Sequence, residues 1–224
     1  VKLFTSVTFL YNLLPQYSDG YVWASWSVGV EMLFYVFFPL LTYAITSLGR
    51  AFLFTLLMAY LGIIWRSGMQ GVTGIPPSFE TFFILPNMTY FAGGMLGFFL
   101  WRYLRMHPRY AALAAAAGII SFVLMIGFRG HLLGMVGQYA KPIQSIPMIL
   151  LVIGLALAPW PVLVNRFTTA LGAASFSLYL LHPMLISILD RTGIYAWAYN
   201  NFPVDQAYPI CAVITLAALC PLAL

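Results

Sequence analysis

Two ionisable residues lie inside apolar stretches of this sequence, and each has polar neighbours at helical spacing. Glu31 sits in SWSVGVEMLFYVFFP (25–39), with Ser27 four residues before it and Tyr35 four after; on a helix the three share one face. His182 sits in SFSLYLLHP (175–183), where Ser175, Tyr179 and His182 fall on one face at spacings of four and three. A carboxylate and an imidazole can orient a hydroxyl or carry its proton. Each also has a plain structural reading. If the first helix starts near Val28 with Ser27 as its N-cap, Glu31 lies only about 5 Å in and is favoured by the helix macrodipole. His182, about 10 Å from its helix end, can be a hydrogen-bonded packing residue. Polar groups at membrane depth are costly and tend to be functional, so both readings stay open for each. Pro183 cannot donate to the carbonyl of Tyr179, nor Pro39 to that of Tyr35, which leaves an acceptor beside each candidate.

Other chemistry is sparse. His107 and His131 lie in loops and are expected to be solvated, His107 among arginines at a helix end. Cys211 and Cys220, nine residues apart in one apolar run, cannot pair on a helix and read as buried small hydrophobes. The sequence has no Gly-rich phosphate loop, no HExxH, no G-x-S-x-G and no metal-ligand spacing.

The elements that must position Glu31 and His182 are membrane helices. Of 224 residues, 62% are hydrophobic, 17% aromatic and 7% charged, against roughly 25% charged in soluble domains. Mean hydropathy is +0.93. Fifteen charges cannot coat a soluble particle, and the aromatic content excludes disorder. The net charge of +5 comes from basic residues scattered singly, which suits topology signals rather than a nucleic-acid surface.

Long apolar runs without alternation indicate helices, each crossing needing roughly 20 residues. The spans expected are 28–48, 51–65, 87–101, 110–128, 143–159, 170–189 and 207–224, seven in all, with 1–14 as the tail of an earlier one and 66–86 as the longest loop. The run Ala111–Gly118 and the pair Gly93/Gly97 are small-residue faces suited to close helix packing. The chain starts at Val1 and stops within an apolar run, as expected of a piece of a longer membrane protein. Placing Arg102, Arg105 and Arg109 in the cytoplasm puts Lys2, Arg50 and Arg166 there too. Arg66, Arg129, Lys141 and Arg191 then fall outside with Asp19, Glu80, Asp190 and Asp205. The basic bias favours this orientation, and loops 15–27, 66–86, 129–142 and 190–206 face outward.

Two segments carry a family resemblance. SWSVGVEMLFYVFFPLL (Ser25–Leu41) resembles the W-S-L-x-x-E-x-x-F-Y-x-x-x-P-L-L signature of the acyltransferase-3 family of integral membrane acyltransferases, and SFSLYLLHPMLI (Ser175–Ile186) resembles its late S-Y-S-x-Y-L-x-H-x-P element. YFAGGMLGFFL (Tyr90–Leu100) is similar to its F-x-x-G-x-x-x-G helix. The resemblance implies an all-α polytopic bundle, of about ten spans in the whole protein, each needing about 20 apolar residues. It implies a bacterial inner-membrane enzyme that moves an acyl group, often acetyl from cytoplasmic acetyl-CoA, to a hydroxyl of an outward-facing sugar or glycan. Acyl-CoA is then the donor substrate, with no bound cofactor or metal; the bilayer and the glycan acceptor are the partners.

By resemblance Trp26, Ser27, Glu31, Phe34 and Tyr35 match the first motif and Ser177, Tyr179 and His182 the second. This gives Glu31 and His182 supporting catalytic roles, and Trp26, Ser27, Tyr35, Ser177 and Tyr179 binding roles. Trp23 and Trp26 could stack on a sugar or anchor the interface, and the Arg102/Arg105/Arg109 loop could meet CoA phosphates. The family's main histidine follows an arginine by eleven positions. Here Leu96, Ile120 and Leu171 stand at that distance before His107, His131 and His182. That histidine is therefore expected upstream, and this chain alone is expected to be inactive. The competing reading is a transporter or flippase for a lipid-linked glycan, against which stands the lack of an inverted repeat; a non-catalytic membrane subunit is a third.

Overall fold

The computed structural model describes residues 2–20, 24–127, 137 and 140–223. Among these there is no strand. The chain divides into two compact units, Val1–Trp160 and Pro161–Leu224. The first contains α1 (Lys2–Val7), two 3-10 turns (Tyr11–Leu13 and Pro15–Tyr17), α2 (Trp26–Ala44), α3 (Leu48–Met69), α4 (Pro77–Phe82), α5 (Ile84–Leu104), α6 (Pro108–Gly127) and α7 (Ala140–Leu157). The second contains α8 (Arg166–Ala173), α9 (Ser175–Arg191), α10 (Ile194–Asn201) and α11 (Val204–Ala223).

Each of the seven expected stretches is largely helical among the described residues, but the count of seven spans is not confirmed. Among the described residues, four helical stretches are long and apolar enough to cross a membrane: Trp26–Ala44, Leu48–Met69, Pro77–Leu104 and Val204–Leu222. A fifth arises if α8 and α9 form one broken span, bent by 70°. The apolar parts of α6 and α7, Ala112–Gly127 and Lys141–Leu157, are shorter. Among the described residues, four or five spans meet that criterion.

Local signals explain the other differences. The expected single helix over 170–189 breaks at Ala174, within the small-residue run Gly172–Ser175, where kinks are favoured. The loop 66–86 is shorter than expected. Arg66 still belongs to α3, and Pro77 opens α4 at the first helical position, where its missing N–H costs nothing. The segment 190–206, expected to be a loop, contains α10, set off from α9 by Gly193 in the left-handed region (φ 78°). Residues 1–14 hold only six residues of α-helix before the 3-10 turns. Trp23, Arg129 and His131 lie outside the described residues.

In the first unit the helices alternate in direction, as successive crossings must. Thr55 of α3 donates to the carbonyl of Ala92 at 3.0 Å, and Gly62 meets Pro86, so α3 and α5 run antiparallel. A methyl at Gly154 would lie 2.4 Å from Cα of Ala115, and one at Gly118 would lie 2.6 Å from the backbone of Leu150. These small residues let α6 and α7 approach backbone to backbone. Gly93 and Gly97 of α5 instead make room for the Ile149 side chain of α7. The small-residue faces are therefore packing faces.

Candidate functional site

Glu31 stands deeper in its helix than expected. Helix α2 begins at Trp26, with Ser25 rather than Ser27 at the N-cap position and no side-chain cap bond there. Six residues past that cap, Glu31 lies about 9 Å in. The first turn holds no acid, so the dipole reading loses most of its force. The earlier start has a tertiary cause. The Tyr11 hydroxyl donates to the carbonyl of Ser25. Asn12, fully buried, donates through Nδ2 to the carbonyl of Trp26 at 3.0 Å and to that of Phe82 at 2.9 Å. The Trp26 ring stacks on Phe82, centroids 4.4 Å apart and 9° from parallel. The first turn of α2 is thus tied to a 3-10 turn before it and to α4 after it.

Within α2 the Tyr35 hydroxyl donates to Oε1 of Glu31. The carboxylate is half-buried, while Tyr35 is 51% exposed and borders a small groove of about 420 Å³ against residues 8–10. The stripe read from the sequence is therefore a bonded pair. Ser27, half-buried, sits one turn before Glu31. One ring face of Trp26 is covered by Phe82, which limits how a sugar could stack there.

In the second unit, Nδ1 of His182 bonds the carbonyl of Tyr179, the acceptor that Pro183 leaves without an amide donor. Since a carbonyl only accepts, Nδ1 carries the proton, and in the neutral ring Nε2 is the basic nitrogen. The His182 and Tyr179 rings pack with centroids 5.1 Å apart. His182 lines a cavity of about 370 Å³ with Tyr195 and Tyr199 of α10 and Tyr208, Cys211 and Thr215 of α11. There the Thr215 hydroxyl donates to the Cys211 carbonyl at 2.7 Å, so the Tyr195 hydroxyl is the donor in its 2.6 Å bond to Thr215. Ser177 is exposed and, two residues from Tyr179, falls on another side of α9. Glu31 belongs to the first unit and His182 to the second, and the surroundings of each are described within its own unit.

Sequence reasoning missed Asn12, Tyr195 and Thr215. A lone Asn beside Pro15 reads as turn chemistry, and Tyr195 lies in a segment read as loop. Both cysteines are half-buried rather than buried, and Cys211 faces the His182 cavity. His107 lies in the loop between α5 and α6, as expected, but is half-buried, stacked on Tyr103 with Nδ1 3.1 Å from its carbonyl. At the opposite end of the first unit, Arg66 pairs with Glu80 at 3.2 Å, and Lys141 donates to Oδ1 of Asn87 at 2.7 Å and to the Thr81 carbonyl at 2.9 Å. This polar staple joins α3, α4, α5 and α7. No group of three potential metal ligands occurs among the described residues.

Comparison with curated proteins and with solved structures yields no match. The family described as an acyltransferase domain, acyltransferase-3, matches residues 2–224. With that match over nearly its whole length, and with an all-helical fold whose spans carry the paired Glu31 and Tyr35, the chain belongs to the acyltransferase-3 family.

Proposed function

We propose that this protein transfers an acyl group, acetyl in the simplest case, from acyl-CoA to a hydroxyl of a sugar or surface glycan at the bacterial inner membrane. The observation that carries the reading is the family match over residues 2–224. The acceptor hydroxyl attacks the thioester carbonyl; its proton passes to a base, and the C–S bond breaks to release CoA, which leaves as the thiol once protonated. In this reading Glu31, held by Tyr35, and His182, with Nε2 as its basic nitrogen, orient the acceptor or carry protons. Trp26, Ser27, Tyr35, Ser177 and Tyr179 contribute to binding. In this reading the start of α3 with Arg50 and the end of α5 with Arg102 face the cytoplasm, the side that supplies acyl-CoA.

The test is reconstitution of the full-length protein in liposomes, with radiolabelled acetyl-CoA on the cytoplasmic side and glycan on the other. Label on the glycan is the expected result. Glycan crossing the bilayer without label would replace this reading with a flippase.

A further inference from the structure

Helices α2 and α5 run parallel, and between them lies a groove of about 720 Å³. Its walls are aromatic: Phe34 and Phe38 from α2, Phe91 and Phe98 from α5. Phe98 is 54% exposed and Phe38 40%, so the groove opens toward the surroundings of the helices. It runs from Tyr90 to Arg102, twelve residues of α5 or about 18 Å. That is close to the roughly 15 Å of hydrocarbon in one bilayer leaflet.

Charge sits at one end only. Arg102 lines the groove beside Thr46. The Thr46 hydroxyl in turn accepts from Arg50 at 3.3 Å. Arg105 stacks on Trp101, 4.9 Å from the ring centre, near the same end. Among the described residues of this unit no carboxylate balances these cations. Glu80 is paired with Arg66 at the far end, and Ser18 bonds Ser78, which holds Asp19 near α4. Glu31 stands thirteen residues before Ala44, the last residue of α2, about 20 Å away along the helix. The groove shares Tyr90, Gly94 and Phe98 with a neighbouring groove between α5 and α7, of about 430 Å³ and similarly apolar, whose wall has no charged residue.

We propose that the α2–α5 groove binds an anionic phospholipid, one acyl chain lying along Phe34, Phe38, Phe91 and Phe98 and the headgroup phosphate at Arg102. An apolar trough of leaflet length with an unbalanced cationic mouth matches a lipid chain joined to a phosphate. The volume lies in the range of ligand sites, roughly 300–1,000 Å³. The groove uses the 34–38–42 stripe of α2, whereas Glu31 and Tyr35 occupy the next stripe round, so the lipid site is separate from the candidate reactive pair.

Gly94 supplies the test. It lines the groove, and a Cβ added there meets nothing within 4 Å, so a larger side chain would fill the trough without disturbing the packing. Native mass spectrometry of the full-length protein, in detergent with dipalmitoyl phosphatidylglycerol or phosphatidylcholine, reads retained lipid. The anionic lipid is expected to be retained about fivefold better. Arg102→Gln should erase that preference, and Gly94→Phe should lower retention of both lipids while circular dichroism stays unchanged. Equal retention of the two lipids by the unaltered protein, or no loss in either variant, would overturn the proposal. So would displacement of phosphatidylglycerol by palmitoyl-CoA that is then consumed as donor, since the groove would then belong to the acyl-transfer substrate.

Discussion

The carboxylate of Glu31 is bonded by a side chain one turn on, Tyr35, whereas the imidazole of His182 is bonded by a main-chain carbonyl one turn back, that of Tyr179. The surroundings differ in the same sense. The start of α2 is fixed by contacts distant in sequence: Tyr11 on Ser25, and Asn12 on both Trp26 and Phe82. The geometry of His182 is set by its covalent neighbour, because Pro183 frees the carbonyl that Nδ1 takes. Glu31 should therefore respond to changes elsewhere in the first unit, and His182 mainly to changes on its own helix.

The largest effect is expected at Asn12. Asn12→Ala removes both donated bonds and leaves two part-buried carbonyls without this partner, at most about 1–3 kcal/mol each. The melting temperature in detergent should fall and acyl transfer with it, while the ¹⁵N signals of His182 stay in place. An unshifted melting temperature would remove Asn12 as the anchor. Next come the two candidate groups. Glu31→Gln and His182→Ala should each slow transfer by about 100-fold with membrane insertion intact, within the range of general acid–base contributions. Unchanged rates in both would return them to structural roles.

A smaller cost attends Gly29→Ala. The added methyl would come within 1.9 Å of Oδ1 of Asn12 and 2.7 Å of the Tyr11 ring. Overpacking of this kind costs about 1–3 kcal/mol, and a drop in thermal stability reads it; no drop would show that the start of α2 yields freely. The smallest effect sharpens the other side. Pro183→Ala restores an amide able to bond the Tyr179 carbonyl, in competition with His182. Thermal stability should change by about 1 kcal/mol or less, yet the ring's ¹⁵N shifts should move from a single Nδ1-protonated form toward a mixture. A spectrum that keeps the single form would show that tertiary packing, not Pro183, orients the ring.

Much of the helical pattern was legible because membrane helices announce themselves by continuous apolar runs. Glu31 and Tyr35 pair on one face as their four-residue spacing requires, and Pro183 frees a carbonyl as its chemistry requires. Where the reading failed, a distant contact or a local break intervened. Ser27 looked like an N-cap until Tyr11 and Asn12 drew the helix start back to Ser25 and Trp26. Residues 170–189 look continuous in hydropathy, but small residues at 172–175 let the chain bend by 70°. The staple of Arg66, Glu80, Asn87 and Lys141 joins residues spread over 75 positions of the chain, beyond any local pattern.

The sequence by itself determined the solvent, the secondary structure and the family: 62% hydrophobic residues with 7% charge require a bilayer, a bilayer requires backbone bonds closed within helices, and the two motifs carry the family resemblance. Only the tertiary structure decided which polar groups meet. It turned Glu31 from a first-turn acid into a bonded residue about 9 Å inside its helix, gave His182 a cavity with Tyr195 and Thr215, and laid an aromatic groove from Tyr90 to Arg102. The reason is physical: hydropathy and spacing act along one chain segment, whereas a hydrogen bond or a groove between helices depends on which segments pack together.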